Sequence, residues 1–325
     1  MILGHERQIE YLNKVLQRGK MAHAYLFYGP EGVGKFTIAK TIAKFLHCEM
    51  LQLSSDRLIV VTFDNICNSC SQCLAVDRGI HPHVFILDPE HTLVSKKEKR
   101  KDIPLEDIRE LKRIFSLAPE GDKWRIAIIN QAERMNSEAA DALLKLLEEP
   151  GEQTLLILIA SGRDLLPQTI VSRTQPVRFS LVSEKNMAIF LKDKVKNIET
   201  QKEILTLAAG RPGVAFDLMD DEERLQKEKE FWENIYVILE KGDVPEAFRL
   251  SEKMAPVESE RIKVIEYILR LLRAKLISGS SEGNTNFLSA KLKNIYRMST
   301  LLDTTNVNAR LALDSILLEA ISTKI

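Results

Sequence analysis

The sequence predicts an α/β protein in which a parallel sheet, covered by helices, is followed by all-helical segments. Three observations support this fold class. A strand, a glycine-rich loop and a helix follow one another between residues 24 and 46. Apolar strands alternate with amphipathic helices up to about residue 180, as in parallel sheets that are buried on both faces. Beyond residue 183 only helical periodicity remains.

The elements follow from the spacing of apolar residues along the chain. In order, the sequence predicts a helix at 6–18, a strand at 25–28, a helix at 38–46, strand character at 58–63, a strand at 83–87, a helix from about 103, a strand at 124–129, a helix at 137–147, a strand at 154–160 and a short strand at 177–179. Helical segments at 183–194, 199–209 and 211–219 make a small unit. The remainder, from about 221, is predicted to be helical apart from a break at 279–284.

Size and charge limit the possible functions. The 325 residues suffice for about two domains. The 46 basic side chains equal the 46 acidic ones, so any contact with DNA would depend on a local patch or on partner proteins. No apolar run has the length of a membrane span, and the first residues lack the pattern of a signal peptide. We therefore expect a cytoplasmic protein without a membrane partner.

The glycine-rich loop between the first strand and its helix has the spacing of a P-loop. In such loops, backbone N–H groups and the helix N-terminus surround phosphates, and a lysine contacts the outer ones. The candidate nucleotide-binding residues here are Gly29, Pro30, Gly32, Val33, Gly34, Lys35 and Thr37. The Ser or Thr expected directly after the lysine as a Mg²⁺ ligand is Phe36, and Thr37 comes one position late. A glycine turn that binds no ligand is the alternative.

All four cysteines lie in the first quarter of the chain. Cys67, Cys70 and Cys73 are spaced as in a tight metal-binding turn, and Cys48 follows the P-loop helix. Four thiolates suit tetrahedral Zn²⁺ and leave no open position for catalysis, so we expect a structural zinc ion. A set in which His81 or His83 replaces one cysteine is the alternative.

Two further stretches point to a known family. The first is Ala139–Pro150, which reads AADALLKLLEEP, and the second is Ser172-Arg173 after LLPQTI. With the P-loop and the cysteines, they stand in the order found in the AAA+ subunits of bacterial clamp loaders. The chain resembles that family over about residues 1–220; its delta prime and gamma/tau members are close relatives. The resemblance implies an AAA+ domain at 1–180 with a zinc-binding insertion at 48–73, a small helical lid at 181–220 and a helical oligomerisation collar at 221–325.

Compared with the active members of that family, the chain lacks several parts of the ATP site. Asn130 and Gln131 stand where the resemblance implies an Asp-Glu pair that organises Mg²⁺ and polarises water. Gly213 occupies the place of the second sensor arginine, and Arg211 lies two residues away. Ser161 stands at the first sensor position. The resemblance therefore implies a degenerate ATP site, at which nucleotide binding stays open.

One catalytic part is retained. The resemblance implies that Arg173 reaches the ATP of a neighbouring subunit as an arginine finger, which is worth about 10³–10⁵ in rate. An ordinary surface arginine is the alternative, and Glu148 and Glu149 are interpreted as solvated charges at a helix end.

The implied function is that of a delta prime-like structural subunit of the DNA polymerase III clamp loader in DNA replication, not an enzyme by itself. Its implied partners are gamma/tau and delta subunits in a hetero-oligomeric ring and, through that complex, the sliding clamp and primer-template DNA. A gamma/tau-type ATPase motor and a non-hydrolysing nucleotide switch are the alternatives.

Overall fold

The computed structural model describes residues 2–53, 62–89, 93, 102–117, 123–278, 282–304 and 307–321. The chain divides into two compact units, Met1–Asp220 and Asp221–Ile325. Most of the stretch at 58–63 that has strand character lies outside the described residues, and its last residue begins a short 3-10 turn, Phe63–Asn65. The division of the first unit near residue 180 stays a prediction.

The first unit is built on a parallel sheet of five strands. These are β1 Ala24–Tyr28, β2 Val84–Leu87, β3 Arg125–Ile129, β4 Thr154–Ala160 and β5 Gln175–Arg178. They lie in the order β2-β3-β4-β1-β5, and every neighbouring pair is parallel. Strands β3 and β4 are buried along their whole length, which explains their continuous apolar sequence. The prediction of a buried parallel sheet is confirmed.

Helices cover both faces of this sheet. They are α1 Glu6–Gln17, α2 Lys35–His47, α3 Glu49–Leu53, α4 Ser71–Asp77, α5 Leu105–Ser116, α6 Ser137–Glu148 and α7 Gln168–Val171. Side chains alternate across a strand. Tyr25 and Phe27 therefore join the apolar cluster under α1 and α2, while Ala24 and Leu26 join the cluster under α5 and α6. The short helices α3, α4 and α7 were not predicted.

The strand order brings three separate stretches of the chain to one edge of the sheet. Gly29 follows β1, Ser161 follows β4 and Asn130 follows β3, and β4 lies between the other two strands. In parallel sheets, ligands bind at the carboxyl ends of the strands, where the direction of the connections reverses. The candidate nucleotide site is therefore at this edge.

Three more helices complete the first unit: α8 Glu184–Lys194, α9 Ile198–Ala208 and α10 Pro212–Asp220. The second unit is all-helical and contains α11 Glu222–Lys241, α12 Val244–Met254, α13 Glu258–Ser278, α14 Glu282–Thr304 and α15 Ala309–Ile321. Because α14 already begins at Glu282, the predicted break at 279–284 is too long. In the described part of the chain, no helix has both the length and the apolar character needed to cross a membrane.

Candidate nucleotide and metal sites

The P-loop begins where β1 meets the segment after β5. Gly29 has φ 140°, and a Cβ atom added there would lie 2.0 Å from the carbonyl oxygen of Phe179. The Phe179 N–H in turn donates to the carbonyl of Tyr28 at 2.8 Å. Only glycine fits position 29, because any side chain would collide with this backbone. The glycine of the motif is thus explained by packing, with or without a ligand.

Lys35, the first residue of α2, is buried, with 6% of its surface exposed. Its Nζ donates to the carbonyl oxygen of Gly29 and, at 2.7 Å, to that of Pro30. Burial lowers the pKa of Lys35 to about 8, although the carboxylates of Glu133 and Glu31 act to raise it. The ammonium group is therefore bound to the loop's own carbonyls, and a phosphate would have to compete with these contacts.

The first turn of α10 packs against the P-loop. The Gly213 N–H donates to the carbonyl oxygen of Gly32 at 2.8 Å, and a Cβ at position 213 would lie 3.1 Å from the same oxygen. Residue 213, where the second sensor arginine was expected, therefore contacts the loop through its backbone and has little room for a side chain. Arg211 lies close enough to lower the pKa of Lys35, so a cationic side chain does lie near the site.

His5 supports the loop from its other side. Its Nε2 lies 2.9 Å from the carbonyl oxygen of Val33, and its ring contacts the edge of the Phe179 ring. Burial lowers the pKa of His5, although the hydrogen bond to Val33 opposes this effect. A third loop carbonyl, after those of Gly29 and Pro30, is therefore hydrogen-bonded to a side chain.

Phe36 and Thr37 face a groove on the outer side of α2. Ile2, Ile9 and Lys40 also line this groove, and the Lys40 Nζ lies 5.6 Å from the centre of the Phe36 ring. A phenyl ring has no oxygen with which to bind Mg²⁺, which prefers oxygen ligands in octahedral geometry. Thr37, which has one, is an exposed residue of this groove.

Amides and one carboxylate lie at the carboxyl ends of β3 and β4. The Asn130 N–H donates to the carbonyl of Leu87 at 2.8 Å, and Gln131 has φ 53°. Glu133, four residues after the end of β3, accepts a hydrogen bond from the Ser161 N–H at 3.0 Å. At this edge of the sheet, the acid that influences the pKa of Lys35 is therefore Glu133, which acts together with Glu31 of the loop and was not predicted to be part of the site.

Arg173, the candidate finger, follows α7 and has 38% of its side chain exposed. Its Nη2 lies 2.8 Å from Oε1 of Glu148 at the end of α6, and its Nη1 donates to the carbonyl oxygen of Thr169 at 3.0 Å. Glu148 is a half-exposed charge at the end of α6, as expected, and it also pairs with this arginine.

The four cysteines converge just beyond the C-terminal end of α2. Their sulfur atoms all lie within 4.8 Å of one another. The Sγ of Cys67 is 3.6 Å from that of Cys48 and 3.9 Å from that of Cys73. Zinc bonded to four tetrahedral sulfurs at about 2.3 Å would separate them by about 3.8 Å. The arrangement therefore fits a tetrahedral metal ion held by Cys48, Cys67, Cys70 and Cys73.

Backbone N–H groups prepare this cluster for a cation. They donate to Cys67, and these hydrogen bonds, first from Ser69 and then from Cys70, lower the pKa of the Cys67 thiol to about 6. Burial, with the neighbouring thiols, raises the pKa of Cys73. A bound metal ion would supply the positive charge that such a partly buried set of thiolates needs.

Three histidines form a separate cluster beside the cysteines. The ring centre of His47 lies 4.3 Å from that of His81 and 6.2 Å from that of His83. His81 uses both ring nitrogens: Nε2 is 2.8 Å from Oε1 of Gln72, and Nδ1 accepts the His83 N–H at 3.1 Å. Burial lowers the pKa of His47 to about 3 and that of His81 to about 4. Neutral His81 thus connects β2 to the cysteine turn through Gln72.

Comparison with known proteins assigns the chain to a family. The family model described as "DNA polymerase III, delta subunit" matches residues 4–183, more than half of the chain. The chain belongs to this family. The predicted relationship to clamp-loader subunits is confirmed.

Individual relatives of this family member are similar over part of their length. The delta' subunit of Pseudomonas aeruginosa is 33% identical over 199 residues, which cover 60% of this chain and 55% of that protein. The delta' subunit of Bacillus subtilis is 30% identical and covers 55% of this chain and 48% of its own length. The DNA polymerase III gamma subunit of Buchnera aphidicola subsp. Schizaphis graminum is 27% identical over 267 residues, covering 80% and 68%. The chain thus spans about half the length of the two delta' relatives.

Proposed function

We propose that this chain is a structural, delta prime-like subunit of the bacterial clamp loader. In this role it helps to load the sliding clamp during DNA replication and supplies Arg173 to the ATP site of a neighbouring subunit. One observation carries the proposal: the edge of the sheet keeps the P-loop and Lys35 but has lost the groups that bind metal and activate water. The similarity to delta' subunits supports the same role.

The lost groups determine which chemistry remains. Phosphoryl transfer needs Mg²⁺ on the phosphates and a residue that orients the attacking water. Phe36 supplies no metal ligand, and Asn130 and Gln131 are neutral amides that cannot accept a proton from water. Glu133 accepts the Ser161 N–H instead. Hydrolysis in the chain's own site is therefore not expected, so the chain is not an enzyme by itself.

The proposed partners are those of a ring of related subunits. Gamma/tau and delta subunits would lie beside this chain, and the five helices of the second unit would form its part of the collar. The sliding clamp and primer-template DNA would be reached through the complex, in the cytoplasm. We propose that the metal at the four cysteines is a structural Zn²⁺, which would stabilise the insertion after α2.

Two other functions have support. A gamma/tau-type ATPase motor is favoured by the similarity to a gamma subunit over 80% of this chain. A switch that binds nucleotide without hydrolysing it is favoured by the retained Lys35 and by Arg211 near it. ATP turnover by the purified chain would identify the motor. A nucleotide titration that compares the chain with Lys35→Ala would identify the switch.

The test of the proposed function is Arg173→Ala in a reconstituted clamp loader. Folding and assembly should be unchanged, because the side chain is partly exposed and its removal leaves no core cavity. ATP hydrolysis stimulated by clamp and primed DNA should fall by about tenfold or more at the one site that loses its finger. Arg173→Lys should fail as well, because an ammonium group lacks the planar fork that binds phosphate oxygens at two points.

A matched control is available in α5. Arg113 is also exposed and also paired with a glutamate, Glu110, at 2.7 Å. Arg113→Ala therefore removes an arginine and an ion pair without touching the proposed finger. Wild-type stimulated turnover in both Arg173 variants, with assembly intact, would show that Arg173 is an ordinary surface residue. An equal loss in Arg113→Ala would show that the effect is not specific to position 173.

A further inference from the structure

The ion pair between Arg173 and Glu148 joins two elements that are separate in sequence. It links Glu148, the last residue of α6, to Arg173, the second residue after α7. Glu148 binds Nη2 at 2.8 Å, and the Thr169 carbonyl binds Nη1 at 3.0 Å. A guanidinium group has five N–H donors. These contacts use one donor on Nη1 and one on Nη2, and they leave further N–H donors available for a second anion.

Fold stability does not explain this pair. The side chains of Arg173 and Glu148 are 38% and 48% exposed, and ion pairs at such positions contribute little to folding. Glu148 also lies in the last turn of α6, where the helix dipole disfavours a negative charge. What the pair does determine is the location of the guanidinium group. Without it, a long arginine side chain samples many rotamers.

We propose that Glu148 is a positioning residue for Arg173. It holds the guanidinium group in the conformation from which the finger reaches the phosphates bound by a neighbouring subunit, and it touches no nucleotide itself. This inference rests on the proposed function of Arg173. The pair is weak enough at the surface to exchange one contact for a phosphate oxygen, so it orients the arginine without blocking it.

The test is Glu148→Gln in the reconstituted clamp loader, with ATP hydrolysis measured at the site that receives the finger. The amide keeps the size of the side chain and removes its charge. Because a misplaced finger weakens only the transition state, kcat should fall by about fivefold while KM is unchanged. Glu148→Asp keeps the carboxylate on a shorter side chain and should retain part of the rate. Loss of assembly is not expected for either exposed substitution.

Glu149→Gln is the matched control. Glu149 carries the same charge one residue further along and is exposed, so its substitution makes the same change in net charge. It should leave kcat unchanged. The double variant Glu148→Gln/Arg173→Ala should be no slower than Arg173→Ala alone, because Glu148 acts only through the arginine.

The outcomes separate this inference from the function on which it rests. If Arg173→Ala lowers turnover and Glu148→Gln does not, the positioning role is overturned and the finger remains. If Glu148→Gln raises turnover, the pair restrains the finger, which also overturns the inference. A further loss in the double variant would show that Glu148 acts independently. If Arg173→Ala has no effect, the proposed function itself fails.

Discussion

The two ends of α2 carry two candidate sites, of which one has a complete ligand set and the other does not. Lys35 opens the helix beside the P-loop, and Cys48 follows its last residue at the cysteine cluster. Thirteen residues place these ends about 20 Å apart at 1.5 Å per residue. At the C-terminal end, four identical ligands converge within 4.8 Å of one another. At the N-terminal end, the loop has the spacing of a P-loop, but Phe36 follows its lysine, and we propose that this site no longer hydrolyses ATP.

The contrast between these two ends suggests that a nucleotide site can lose its metal ligand and its acids while its loop is kept. A P-loop is also a tight connection between a strand and a helix, so its glycines remain necessary for packing at Gly29 whether or not nucleotide binds. For the cysteines the case differs, because removal of one would leave three thiolates, an incomplete ligand set for a tetrahedral metal ion. The cysteine cluster should therefore fail entirely when one member is removed, whereas the nucleotide site should tolerate further loss. The experiments below test this contrast.

The largest effect is expected for Cys48→Ser. Structural zinc contributes about 10–16 kcal/mol of apparent binding free energy in small sites, so loss of one thiolate should release the metal. The turn that carries Cys67, Cys70 and Cys73 should become less ordered, while the sheet and its apolar core stay folded. Metal analysis should find one zinc per chain in the wild type and well under one in the variant. Ser69→Ala, in the same turn but outside the ligand set, is the control; equal zinc in both variants would contradict the proposed site.

The next largest effect is expected for ATP hydrolysis at the P-loop, at the N-terminal end of α2. The isolated wild-type chain should not hydrolyse ATP above background. The triple variant Phe36→Thr, Asn130→Asp and Gln131→Glu restores a metal ligand and both acids and should hydrolyse ATP above that background. Adding Lys35→Ala should abolish the gain. Phosphate release is the measurement, and wild-type turnover that disappears in Lys35→Ala would favour the motor function instead.

A smaller effect should appear in the pH dependence of stability. The pKa of Lys35 is lowered from 10.5 to about 8, so between these values the unfolded chain holds the proton and the folded chain does not. The free energy of unfolding should therefore rise with pH across this window, by about 1–3 kcal/mol. Denaturant unfolding of the wild type and of Lys35→Met should show that the variant lacks this rise. Lys14→Met, at an exposed lysine of α1, is the control; identical slopes in all three proteins would refute the assignment.

The smallest effect is expected for His81→Ala. It removes the link to Gln72 and leaves the His83 N–H without this acceptor, at a cost of about 1–2 kcal/mol. Because His81 is not among the four converging ligands, zinc content should stay at one per chain. Metal analysis and thermal unfolding measure the two quantities. Loss of zinc with little loss of stability would favour the alternative in which His81 replaces a cysteine.

Much of the fold could be predicted because long, buried elements leave a clear sequence pattern. Strand β4 is apolar throughout, and the periodic apolar residues of α5 and α6 indicate one buried face. The short helices were missed because four to seven residues do not establish a helical period. Helix α4 also begins at an unusual cap, since the Sγ of Cys70 accepts the Cys73 N–H. A metal-binding turn was evident there, but the helix within it was not.

The candidate sites were predictable where residue type and spacing alone carry the information. The cysteine set needed only its spacing, whereas the expectation of acids at Asn130 and Gln131 came from the resemblance to the clamp-loader family. The pairing of Glu148 with Arg173 depends on how α6 packs against α7, which spacing does not reveal. Glu133 and Arg211 approach Lys35 for the same kind of reason. The sequence feature that could have identified Glu133 and Arg211 is that both lie close to the ends of elements that meet at one edge of the sheet.

The strand order has a consequence for how the chain is made. Strand β1 is the first of the five strands to be synthesised, yet its neighbours are β4 and β5, so Ala24 pairs with Leu156 and Tyr25 with Gln175. A ribosome has to extend the chain by about 130 residues before β1 gains its first neighbour. Such distant pairing slows folding and leaves an apolar strand with two open edges in the meantime. The cysteine turn is complete after residue 73, so the proposed zinc ion would be able to bind there long before the sheet forms.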